Sequence, residues 1–148
     1  MSSPLPRSPR ETLGGYIFLP RLIDKVRLHA KGLLPPEYFE NLLKPGMTTD
    51  GRFLAFTALD GEQLRKTILS SDTDDNVLKW ILQHALHKSA HEIQQWALEI
   101  DAFRPDPKMT QARVKMYPNL AEKIDVSNLS IFDMIDMDEG RKPICYPV

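Results

Sequence analysis

The sequence predicts an all-α fold, a compact single domain of about six or seven short helices behind an extended N-terminal arm. Three observations carry this. Apolar residues recur at three- and four-residue spacing through most of the chain, which places them on one face of a helix. Helix-start signatures recur too, with Asp50, Asp60 followed by Gln63, and Ser89 followed by Glu92 at capping positions. No stretch alternates apolar and polar residues with β-branched enrichment, so no sustained strand is expected.

Residues 1–11 read as a flexible arm, because three prolines and few apolar side chains leave little to offset the entropy of ordering. Gly14 and Gly15 permit positive φ, and Tyr16 to Leu19 forms a short apolar entry that can run extended. Pro20 suits the first turn of a helix, where its missing donor is not needed. Leu19, Leu22, Ile23, Val26 and Ala30 then share one face, Arg21, Asp24, Lys25, Arg27 and Lys31 the other, and Gly32 stops the helix.

A short helix is expected over Pro36 to Leu43, ended at Pro45-Gly46. Asp50 is expected to cap the helix carrying Phe53, Leu54, Phe56 and Leu59, and Asp60 the next, with Leu64, Ile68 and Leu69 inward. After the polar cluster Ser70 to Asp75 comes a helix with Val77, Leu78, Trp80, Ile81, Leu82, Ala85 and Leu86, an arc wide enough to predict a central buried position. The helix from Ser89 carries Ile93, Trp96, Ala97, Ile100 and Phe103 until Pro105. Residues 12–104 are thus the helical core, 105–118 a proline-bearing linker with a short helix from Thr110 to Met116, and 119–148 an acidic tail. A last helix over Ser130 to Asp138 packs on the core. The predicted core includes Leu22, Ile23, Val26, Phe53, Phe56, Leu64, Ile68, Leu78, Ile81, Leu82, Ile93, Trp96 and Ile100.

At 148 residues the chain can bury roughly two thirds of its unfolded surface without disulfides or a structural metal. Its single cysteine, Cys145, makes no internal bridge and points to a reducing, cytoplasmic setting. A net charge of −1 argues against nucleic acid and anionic membrane as partners. The charge is unevenly spread: residues 1–31 hold six Arg/Lys and two acids, residues 119–140 six acids and one Lys. The basic head can therefore receive the acidic tail. No apolar run approaches the ~20 residues of a membrane span, and the arm has no secretory apolar region.

The segments RSPRETLGGYIFLPRLIDKVR, EYFENLL, DGRFLAF, DDNVLKWI and FDMIDMDEGR resemble the bacterial domain-of-unknown-function family number 5069. The resemblance implies a compact, mostly helical, cytoplasmic bacterial protein. It carries no catalytic residue over.

The leading function is a non-enzymatic binding or interaction module, with a small anionic ligand or a protein partner; a homo-oligomer is compatible. No cofactor and no metal are expected. The ligand site is placed at the head of the first long helix, where the backbone donors near Gly14 and Gly15, the guanidinium groups of Arg10 and Arg21 and the Tyr16 hydroxyl suit an anion. The bland reading of these residues is a tight turn beside a solvated basic face. The alternative is an enzyme whose site forms around Gly14 to Arg27 from residues distant in sequence. Its mark would be a deep pocket joining that region to titratable groups of another helix. His84, His87 and His91 would share a face only on one unbroken helix, which the Ser89 cap argues against. Asp24 and Arg27 are expected to pair at the surface, and Trp80 and Trp96 to anchor the core.

Overall fold

The computed structural model describes residues 5–142; Cys145 and the first four residues lie outside them. The chain enters through a two-stranded antiparallel hairpin, β1 (Thr12–Leu13) and β2 (Tyr16–Ile17), with Thr12 opposite Ile17 and Leu13 opposite Tyr16. Gly14 and Gly15 form its turn at φ 58° and 85°. Positive φ at both central residues matches the right-handed twist of the strands. A Cβ on Gly14 would meet the Leu78 methyl carbons at 2.7 Å. Gly14→Ala is therefore expected to lose at least the ~1–2 kcal/mol of a left-handed L-residue, read by thermal unfolding. Adding Leu78→Ala should recover the steric part only.

Eight α-helices follow among the described residues. They are α1 (Leu19–Ala30), α2 (Thr49–Thr57), α3 (Gly61–Ser70), α4 (Asp74–His84), α5 (Ala90–Ala102), α6 (Pro107–Met116), α7 (Pro118–Ala121) and α8 (Ile131–Asp138). Two 3₁₀ turns, Pro36–Asn41 and Val126–Asn128, join them. The fold is all-α apart from the hairpin. Helix starts are set locally: Asp60, Thr73, Ser89, Asp106 and Ser130 each accept a hydrogen bond from the backbone N–H three residues on. Ser89 and Glu92 close a full capping box.

The main core forms where α1 lies on α3, with α4 packed against α3 and α5 against β2. Leu19, Leu22, Ile23 and Val26 of α1 are wholly buried with Phe53, Leu64, Ile68, Val77 and Ile81. Rings close one end of it: Tyr16 meets Phe53 edge-on at 5.9 Å, and Phe56 stacks on Trp96 at 5.0 Å. A smaller cluster of Leu120, Val126, Leu129 and Met134 lies under α6 to α8, and Phe132 reaches from α8 into the main core.

Several elements differ from the sequence reading, each for a physical reason. Helix α4 is peripheral rather than central. Val77 and Ile81, one turn apart, fill its contact stripe, leaving Leu82 62% and Leu86 57% exposed. Asp50 does not cap α2. Thr48 does, accepting from Gly51 N–H, and Asp50 sits buried inside the first turn. The short helix expected over 36–43 is a 3₁₀ turn confined to Pro36–Asn41 rather than an α-helix. The short helix expected from Thr110 to Met116 starts earlier, as α6 over Pro107–Met116, at an Asp106 cap with Pro107 behind it, and buries Arg113.

From Leu5 onward, the segment read as a flexible arm is bonded to the rest of the chain through charged side chains, with Pro6 and Pro9 buried. Arg7 pairs with Asp24 and Asp74, Ser8 donates to Asp136, and Arg10 pairs with Asp133 and Asp101. The expected Asp24–Arg27 pair is consequently replaced: Asp24 takes Arg7, and Arg27 takes Asp74.

Candidate functional site

Arg21 and Lys25 stand one helical turn apart on α1, so they share a face. The sequence reading put that face in solvent, yet they are only 2% and 5% exposed. Each is held by an acid delivered from elsewhere. Arg21 donates to both carboxylate oxygens of Glu139, at 2.9 and 2.6 Å, and to the Arg7 carbonyl. Tyr38 donates its hydroxyl to Glu139 Oε2 at 2.6 Å, and its ring lies 5.6 Å from the Arg21 guanidinium. Burial and this bond push the Tyr38 phenol well above its usual range.

Lys25 Nζ lies 2.6 Å from Asp50 Oδ1 and 5.4 Å above the Phe18 ring. The second Asp50 oxygen accepts the Leu43 N–H at 2.8 Å. One carboxylate thus ties α1 to α2 and to the loop before it. Gly51 makes that geometry possible, since a Cβ there would lie 2.5 Å from the Gly46 carbonyl oxygen. Burial pushes the Lys25 ammonium below its usual range, and Asp50 offsets this only in part.

Both ion pairs border a half-open cavity of about 420 Å³ lined by α1, the 36–50 segment, the start of α2, α6 and α8. That size suits a small organic molecule. Its apolar wall includes Phe18, Phe103, Ile131 and Ile135, with Met47, Met109, Met116 and Met134. Four of the chain's six methionines therefore meet at one place. Unbranched thioether side chains make a wall that adapts to its contents.

Two further cations border it. Arg52 lies 4.4 Å over the Phe103 ring, and Arg113 donates to the carbonyls of Val126 and Leu129. Neither forms an ion pair among the described residues. Burial pushes both guanidinium groups down, and for Arg113 the charges of Arg104 and Arg52 add to the effect. With Arg21 and Lys25 neutralised by Glu139 and Asp50, the lining keeps Lys44, Arg52 and Arg113 against Asp138. The cavity is therefore apolar with an excess of positive charge.

Of the five residues proposed from the sequence, the structure brings only Arg21 to this cavity. Gly14 and Gly15 sit in the hairpin turn against Leu78 and Ile93. Tyr16 is buried against Phe53 and Phe56. Arg10 reaches Asp101, Asp133 and Ser130, so its anions belong to the chain itself. The histidines do not converge on one helix: α4 ends at His84, which bonds the Trp80 carbonyl and stacks on the Trp80 ring. Among the described residues no group of three or more His, Cys, Asp or Glu is arranged to hold a metal. None of the helices among them is long and apolar enough to cross a membrane.

Sequence reasoning missed Tyr38, Asp50, Arg52, Arg113 and Glu139 as site residues, and reached Lys25 only as part of the Gly14-to-Arg27 region of the enzyme alternative. The one local signal was the four-residue spacing of Arg21 and Lys25. A family model described as Domain of unknown function (DUF5069) matches residues 3–141. No curated protein matches the chain.

Proposed function

The chain belongs to the DUF5069 family, whose description carries no activity, and we propose that it binds a small organic anion with an apolar body in the cavity between α1, α6 and α8. The observation that carries this reading is the pair Arg52 and Arg113, two partly desolvated cations that face an apolar cavity without carboxylate partners among the described residues. Their mutual repulsion would be relieved by a carboxylate or phosphate between them, where a guanidinium offers charge-assisted bonds. The methionine wall would take the rest of the ligand.

A ligand is favoured over a protein partner by how the tail is used. Phe132 is fully buried and Asp133 pairs with Arg10, so the acidic helix is already engaged. The setting in this reading is the bacterial cytoplasm, supported by the lone cysteine.

Calorimetric titration with octanoate and with octan-1-ol tests it. Octanoate should bind more tightly than the alcohol, and Arg52→Gln should weaken octanoate about 10- to 100-fold, the ~1.5–3 kcal/mol of a charge-assisted hydrogen bond. Equal affinities for acid and alcohol, or no effect of Arg52→Gln, would remove the anion from the reading. A second reading, an enzyme, is favoured by the Lys25–Asp50 pair on the cavity wall.

A further inference from the structure

We propose that Lys25 is a nucleophilic amine that forms an imine with the carbonyl group of a 2-oxo carboxylic acid bound in this cavity. The inference rests on the cavity being an organic-anion site and adds a covalent step to it. Three features carry it. Lys25 lines a space large enough for a ligand, while only 6% of its side chain is exposed. Asp50 Oδ1 stands 2.6 Å away, in position to take a proton and return it. Arg52, two residues beyond Asp50 in the first turn of α2, borders the same space and can hold the carboxylate adjoining the carbonyl. Desolvation favours the neutral, nucleophilic form of a lysine amine; Asp50 opposes this through its charge but gives the proton a place to go.

The step balances within the pair. The Lys25 ammonium gives one proton to Asp50, and the neutral amine attacks the carbonyl carbon, forming the C–N bond as the carbonyl electron pair moves to oxygen. A proton passes from nitrogen to that oxygen. Asp50 then returns its proton to the hydroxyl, the C–O bond breaks, water leaves and the nitrogen lone pair completes a protonated imine. The site begins with one ammonium and one carboxylate and ends with one iminium and one carboxylate, so the buried pair stays neutral in sum. No oxidant or reductant takes part.

The structural alternative is that Lys25 and Asp50 only tie α1 to α2. Reductive trapping separates the two. The full chain is incubated with 2-oxooctanoate and sodium cyanoborohydride, which converts an imine to a stable secondary amine, and the modified lysine is located by peptide mass spectrometry. The expected result is an adduct on Lys25 in higher yield than on the exposed Lys31, suppressed by excess octanoate. It should vanish in the doubly neutral Lys25→Met/Asp50→Asn variant. Lys25→Arg keeps the charge pair and cannot form an imine, so it serves as a second control should the double variant fail to fold. An adduct confined to exposed lysines, or yields on Lys25 unaffected by octanoate, overturns the covalent step. Octanoate binding in the calorimeter then decides separately whether the anion site stands.

Discussion

Glu139→Ala is expected to destabilise the protein by about 3–5 kcal/mol, the loss seen when one partner of a buried ion pair is removed and the other charge is stranded. The Glu139 side chain is 3% exposed and receives Arg21, Tyr38 and Arg141. Without it, Arg21 keeps its charge in a nearly dry environment, since a guanidinium does not neutralise itself by losing a proton. Urea unfolding of the two proteins at pH 7 measures the difference. A loss below about 1 kcal/mol, the range of an exposed pair, would show that the contact carries no buried charge.

The same residue gives the pH dependence a sign. Burial pushes Glu139 up, but the hydrogen bonds and charge of Arg21, with Tyr38 and Arg141, outweigh it and hold the carboxyl below its usual value. A depressed folded-state value means that the contribution is fully present above the unfolded value of about 4.3 and is lost as pH falls through the lower folded value. The neighbouring Asp138 acts oppositely. Burial, Glu139 and Glu37 raise its value, so acid relieves a strain there. The wild type should lose stability on acidification below about pH 4–5, and Glu139→Gln should flatten that limb while also reducing the Asp138 contribution to the part due to burial and Glu37. Identical acid limbs in both proteins would refute the assignment.

What was legible in the sequence was what is settled within a turn or two of chain. The glycine pair marked a tight turn at positive φ, though not the hairpin it closes, and Ser89 with Glu92 marked a helix start, because those contacts span three residues. The apolar stripe Leu22, Ile23 and Val26 marked the buried face of α1. The site was not legible because its defining contacts are long-range. Residue type and spacing alike assign Arg21 and Lys25 to a solvated face; only an acid arriving 118 residues later, Glu139, or 25 later, Asp50, makes them buried. The charge asymmetry between head and tail was visible, but not which base would meet which acid. Arg10, chosen for a ligand, meets Asp133, whereas Arg113, in a segment whose prolines suggested a connection, stands at the cavity wall.

Asp50→Asn should cost nearly as much as the loss of Glu139 at neutral pH, but with a different response to alkali. Asparagine can still accept the Leu43 N–H that Asp50 holds at 2.8 Å, so the loop contact need not be lost. What is lost is the counter-charge 2.6 Å from Lys25, leaving a buried ammonium alone, a defect of about 3–5 kcal/mol. Unlike Arg21, Lys25 can escape by releasing its proton. Burial already lowers its folded-state value, so the penalty on the charged form is present below that value and is relieved as pH rises through it. The defect of Asp50→Asn should therefore shrink as pH rises towards the unfolded lysine value near 10.4, whereas that of Glu139→Ala should not. Adding Lys25→Met removes the stranded charge, and the double variant should regain about 1–3 kcal/mol over the sum of the single losses, as expected for residues in direct contact. Additive losses, or an Asp50→Asn defect that ignores alkali, would mean that the two side chains do not share a buried proton, and the same measurement would then count against Lys25 as a reactive amine.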